Sequence, residues 1–231
     1  MNGKAVAKRE VPLKKKALHK DRCSLLRKYA IKRGEISARL ADFDKIREAE
    51  GKIIAGELCF CICAANSSAA AAWRAQRELE EGGLLFSNDA KKIARALLGA
   101  GVRFHNNKAR YIIEAREKLV EKGGLCIYLE KYPDRRELRN FLAQEICGLG
   151  MKEAGHFLRN IGHGGDLAIL DRHIMKNLLR YGAIENAPSS LGKRAYLEIE
   201  QKMLEFASEI GVPAAHLDLF FWSEGAGRIF K

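Results

Sequence analysis

Gly148-Leu149-Gly150 stands between two stretches of helical periodicity and fixes how those stretches can be joined. Glycine tolerates positive φ and lets another backbone come close, so the pair predicts a tight hairpin. The spacing predicts a first arm over 137–146 and a second over 152–161, with Ala154, Phe157, Leu158 and Ile161 on one face. A connection this short leaves the N–H groups that open the second helix without intrahelical partners. Those groups and the helix dipole attract phosphate, a contact that positions a nucleic acid without reading its sequence. Leu149 is expected under the turn, with Met151 and Lys152 pointing outward.

The rest of the chain reads as helix as well. Only Pro12, Pro133, Pro188 and Pro213 interrupt stretches rich in Ala, Leu, Glu, Lys and Arg. Apolar spacing predicts helices over 36–50 and 52–64. Another is capped by Ser67 or Ser68 and stopped at Gly82-Gly83, and one runs over 90–99 behind Asn88 or Asp89. Asn106 or Asn107 is expected to open a long helix ending at Gly123-Gly124. Further helices are expected over 171–181, from Ser189 or Ser190 to Ile210, and from Pro213 to Trp222. The apolar run 124–129 is ambiguous, but no alternating strand pattern and no internal repeat stand out. The fold class is all-α, with about ten helices.

The net charge of +12 points to a polyanion partner. Its distribution tempers that inference. Residues 1–33 hold twelve Lys and Arg against two acids, whereas 34–231 hold 29 against 27. The expected organisation is therefore a basic, solvated N-terminal segment over 1–33 and one folded domain over 34–231, with any nucleic-acid face a local patch. The most apolar stretch, 58–73, is broken by Asn66-Ser67-Ser68 and is too short and polar to span a bilayer. With no apolar core of a secretory signal near Met1, the expected location is cytoplasmic, and the six cysteines are read as reduced thiols. Cys59, Cys61 and Cys63 alternate, which is not a usual zinc spacing. No metal is expected.

Lys152 follows the second hairpin glycine by two positions, and Asp171 comes nineteen positions later at the start of another predicted helix. Singly, Lys152 is a surface lysine and Asp171 an N-cap. Together with the phosphate clamp they supply an amine nucleophile and a carboxylate that can steady positive charge, the parts needed to break an N-glycosidic bond.

This array resembles the helix-hairpin-helix DNA glycosylases over 142–173, and is similar in particular to the archaeal-type 8-oxoguanine DNA glycosylase/lyases. Lys152-Glu153-Ala154, His156-Phe157-Leu158-Arg159-Asn160 and Ile169-Leu170-Asp171-Arg172-His173-Ile174 carry the likeness, as do Leu217-Asp218-Leu219, Trp222 and Lys231. It extends from roughly residue 35 to 231. The resemblance implies two helical subdomains flanking a DNA-binding cleft. It implies excision of 8-oxoguanine and a strand nick by β-elimination through a Schiff base on Lys152, with Asp171 stabilising the sugar cation. Gly148, Gly150, Met151 and His173 would hold phosphate. Trp222 and Lys231 would recognise the oxidised base, with Phe104 near the bases. Asn66 would either face DNA at the subdomain junction or serve its own turn.

The implied partner is double-stranded DNA containing oxidised guanine, bound by a monomer without a cofactor. No iron–sulfur cluster is expected, because the last cysteine, Cys147, precedes the lysine. Two other readings stay open: a glycosylase of the same superfamily with another lesion, and a hairpin module that binds DNA without cutting it.

Overall fold

A computed structural model of the chain describes residues 7–49 and 51–230, with the backbone alone over 7–20. Every regular element among the described residues is helical. Helix α1 (Ala7–Lys45) runs into a single 3-10 turn, Ile46–Glu48. Then come α2 (Gly51–Ala64), α3 (Ala69–Glu81), α4 (Ala90–Gly99) and α5 (His105–Arg116), which passes into a π turn at Glu117–Glu121. The order continues with α6 (Gly124–Lys131), α7 (Arg135–Glu145), α8 (Met151–Asn160), α9 (Arg172–Arg180), α10 (Lys193–Glu209) and α11 (Ala214–Ala226).

Four local expectations are corrected. The helix expected over 36–50 is the end of a much longer one, because Gly34 faces open space and interrupts nothing. Neither Asn106 nor Asn107 caps α5: left-handed Phe104 turns the chain directly into it, and Lys108 N donates to Phe104 O at 3.0 Å. Helix α10 starts at Lys193 behind an extended Gly192, so neither Ser189 nor Ser190 opens it. The ambiguous run 124–129 is α6.

The chain forms two compact units. One comprises α1 as far as Arg39 together with Leu170–Phe230. Leu25, Tyr29 and Ile36 of α1, Leu178 of α9, Met203 and Phe206 of α10, and Leu217, Phe220 and Phe221 of α11 are among its buried side chains. Each such burial contributes about 1.5–3 kcal/mol. The boundary expected at residue 33 falls within α1. Charges just before it are held by acids of α10 and α11: Arg22 pairs with Glu209, and Lys28 and Lys32 with Glu224 at 2.7 and 3.5 Å.

The other unit is Leu40–Ile169. Helix α2 is its axis, buried from Ala55 through Cys63 and packed against α3, α5 and α8. A helix apolar on every side can be stable only when surrounded in this way. Its three cysteines are small buried apolar residues. Hydrogen bonding to Cys63 and burial push the Cys59 thiol up, so it stays protonated. Among the polar groups of this core, Asn160 donates to Glu57 at 2.9 Å. The Arg116 guanidinium, fully buried, donates to Leu85 O and Ser87 O at 2.8 and 2.9 Å and pairs with Glu121 at 2.7 Å.

Candidate functional site

The hairpin lies wholly in the Leu40–Ile169 unit, and α7 and α8 are its arms. Gly148 takes a φ of +88°, a left-handed conformation that side chains rarely adopt. A side chain there would also be crowded, since a Cβ would lie 3.0 Å from Tyr111 Cβ and 3.3 Å from Ile62 Cγ2. Gly150 is different. Its φ of −83° suits any residue, but a Cβ would come 3.0 Å from Glu153 Oε2. Leu149 is buried between them, as its spacing predicts.

Gly150 is the N-cap of α8, whose first ladder bond runs from Ala154 N to Gly150 O at 2.8 Å. The N–H groups of Met151, Lys152 and Glu153 therefore lie outside the ladder at the positive end of the helix. Lys152 is partly exposed in this first turn, and its Nζ is 2.9 Å from Glu153 Oε1. Glu153 occupies the N3 position, from which a carboxylate reaches back toward the start of its helix.

A buried lysine, Lys108, belongs to the same unit. Its Nζ donates to Cys63 O at 2.9 Å, to Ala65 O and to Ser67 Oγ at 3.1 Å, at the C-terminal end of α2. Burial lowers its pKa from the ordinary lysine value; the charges of Glu153 and Lys152 act on it in opposite senses. Asn66 and Phe104 are the two non-glycine residues with positive φ among those described, at 54° and 58°. Phe104 is 57% exposed, with the Arg103 guanidinium 5.5 Å from its ring.

The other unit holds the second cluster. Asp171 caps α9, its Oδ1 accepting from His173 N at 2.7 Å and from Ile174 N at 2.9 Å. Just before it, Leu170 N donates to the Tyr196 hydroxyl at 3.3 Å. The His173 ring meets Trp222 edge-on with centroids 6.4 Å apart, and Trp222 in turn stacks on Phe230 at 6.5 Å. Arg39 Nε donates to Phe230 O at 3.1 Å. Asn177 Nδ2 joins His173 O to Phe221 O, both at 3.0 Å, so α9 and α11 are tied at this point.

A sequence model of 8-oxoguanine DNA glycosylases matches residues 36–212. The chain belongs to the 8-oxoguanine DNA glycosylase family. A relative from Fusobacterium nucleatum, named 8-oxoguanine DNA glycosylase/AP lyase, is 39% identical over 196 residues, covering 84% of this chain and 89% of its own. One of the same name from Metallosphaera sedula is 40% identical, covering 86% and 94%. The Thermotoga maritima 8-oxoguanine DNA glycosylase superposes with a TM-score of 0.81 at 31% identity, over 93% of this chain and all of that one. The Methanocaldococcus jannaschii 8-oxoguanine glycosylase/lyase, solved in complex with 15mer DNA containing 8-oxoguanine, superposes with a TM-score of 0.79 at 31% identity, over 90% of this chain and all of that one.

In this glycosylase-family chain the expected site residues thus fall into two groups. Gly148, Gly150, Met151, Lys152, Asn66 and Phe104 belong to Leu40–Ile169, and Asp171, His173 and Trp222 to the other unit. Lys231 lies outside the described residues. Sequence reasoning missed Lys108 and Glu153. Lys108 stands four residues before the buried Ile112 on the apolar face of α5, a spacing that could have marked it. Glu153 stands three residues after the hairpin glycine, in the capping-box position.

Proposed function

We propose that this protein excises 8-oxoguanine from duplex DNA and then cuts the strand at the resulting abasic site. The observation that carries the reading is the placement of Lys152 in the opening turn of α8, beside a glycine hairpin suited to phosphate, in a chain of this family. The solved relative bound to 8-oxoguanine DNA supports the substrate.

Lys152 is the nucleophile. Its neutral amine attacks C1′ of the extruded nucleoside as the bond to the base breaks, and the departing base takes up a proton. The resulting N,O-acetal breaks its C1′–O4′ bond, opening the sugar ring to a Schiff base. Loss of a C2′ proton then expels the 3′ phosphate, which is β-elimination. Asp171, held rigid by the two N–H groups it caps, stabilises the positive charge that develops on the sugar.

The hairpin N–H groups at Gly150 and Met151 hold backbone phosphate, and His173 holds a backbone phosphate near the lesion. Trp222 and Lys231 select the oxidised base, and Phe104 and Asn66 meet the bases around the gap. The nucleophile is supplied by the chain, so this chemistry needs no cofactor. The protein works as a monomer on double-stranded DNA, inside the cell with the genome; no described helix is long and apolar enough to cross a membrane.

A duplex carrying one 8-oxoguanine, incubated with the protein and borohydride, tests this. The expected result is a covalent protein–DNA adduct that disappears in Lys152→Gln. DNA that is bound at saturation but neither trapped nor cut would assign the hairpin to binding alone.

A further inference from the structure

Lys108 is 4% exposed, yet it carries a charge at the centre of a contact set that joins two turns. An ammonium has three hydrogens. Here they go to Cys63 O, Ala65 O and Ser67 Oγ, so the turn between α2 and α3 is wrapped around one cation. Ser67 Oγ also accepts the N–H of Arg103 at 3.0 Å, which brings in the turn between α4 and α5. The backbone N–H of Lys108 itself holds Phe104 O.

Each of the two turns puts one non-glycine residue at positive φ. Asn66 lies between two of the Lys108 acceptors, and Phe104 directly follows the residue that Ser67 holds. Asparagine tolerates that conformation, whereas phenylalanine does so rarely. Burial does not explain it, because Phe104 and Asn66 are both exposed. An aromatic face backed by the Arg103 guanidinium suits stacking on a base, and an amide suits hydrogen bonding to a base edge. Strained conformations held by surrounding structure recur where a binding geometry is set in advance.

We infer that Lys108 is a positioning residue whose buried ammonium fixes Asn66 and Phe104 as a preformed pair facing the gap left by the extruded nucleotide. The inference rests on the functional reading above and adds a step to it: Lys108 acts on base extrusion, not on the chemistry at C1′. A substrate whose base is already missing does not need that step.

Single-turnover rates on two duplexes separate these roles, one with 8-oxoguanine and one with a preformed abasic site. In Lys108→Met and Ser67→Ala, excision of 8-oxoguanine should fall on the order of tenfold to a hundredfold, while cleavage at the abasic site stays within about twofold of wild type. Ser67→Ala keeps the cation and two of its acceptors, so it decides the matter even if Lys108→Met does not fold. Equal losses on both substrates, or no loss on either, would overturn the positioning role. A wild-type protein inert on both substrates would instead overturn the functional reading on which it rests.

Discussion

The imidazole of His173 occupies the space that a Cβ on Gly225 would need, with Nδ1, Cγ and Cε1 all inside contact distance of that position. Glycine inside a helix ordinarily costs about 1 kcal/mol relative to alanine. Its presence within α11 is explained by the ring it admits rather than by the helix it belongs to. Gly225→Ala should therefore forgo the helix gain and displace His173 from the edge of Trp222. Overpacking of this kind costs about 1–3 kcal/mol. The expected outcome is a lowered melting temperature and weaker binding of lesion duplex in fluorescence anisotropy. A raised melting temperature with unchanged affinity would show that the ring contact carries no function.

The cap that Asp171 forms and the catalytic role proposed for it can be separated by a pair of substitutions. Asparagine caps a helix about as well as aspartate, whereas alanine at an N-cap costs about 0.5–2 kcal/mol. Asp171→Asn should thus leave thermal stability nearly unchanged, because its side-chain oxygen can still accept from His173 N and Ile174 N. Excision should nevertheless fall by about a hundredfold or more, since the neutral amide cannot balance a developing cation. Asp171→Ala should lose both. Wild-type excision rates in the folded asparagine variant would confine Asp171 to capping.

The parts of this fold that were legible in the sequence are those set by local chemistry. Ser68 and Asp89, each one of two candidates, cap the helices they precede, and Leu149 is buried between two glycines. The parts that were not depend on partners far away in the chain. The left-handed turn at Phe104 is held through Ser67, 36 positions earlier, and no local pattern announces it. Lys108 and Arg116 were passed over, and the carbonyls they satisfy lie 45 and 31 positions away. Gly225 lies past the expected end of the last helix at Trp222, and only the His173 ring gives it a reason. In the candidate site the hairpin lysine and the aspartate that opens the next helix were singled out by their types and spacing. Glu153 was not, since a glutamate in a first helical turn ordinarily does no more than complement the dipole.

Gly148→Ala tests the hairpin. The substitution forces a side chain into a backbone at φ +88° and against Tyr111 and Ile62. Left-handed strain of about 1–2 kcal/mol and a comparable packing cost should lower stability by about 2–4 kcal/mol. Because the turn orients the N–H groups that open α8, affinity for undamaged duplex should fall along with affinity for lesion duplex. Gly150→Ala has only the Glu153 carboxylate to displace, so its stability loss should be the smaller of the two. Chemical denaturation of both variants checks the order, and a reversed order would put the strain at the wrong glycine.

His163 gives the fold an acid-sensitive point. Burial, reinforced by the guanidinium groups of Arg135 and Arg47 and opposed by Asp44, lowers its pKa from 6.5 to about 4. The unfolded chain binds the proton more readily than the folded one between these values, so protonation favours unfolding. The stability associated with neutral His163 is complete above about pH 6.5 and is lost progressively as the pH falls toward about 4. His163→Gln removes the group that must charge. Whatever the substitution costs at pH 7.5, the gap in melting temperature between variant and wild type should narrow as the pH is lowered through this window, measured by thermal denaturation at constant ionic strength. A gap that stays constant from pH 7.5 to pH 4 would mean that His163 takes up its proton as easily folded as unfolded, and that neither its burial nor the guanidinium groups beside it disfavour the charge.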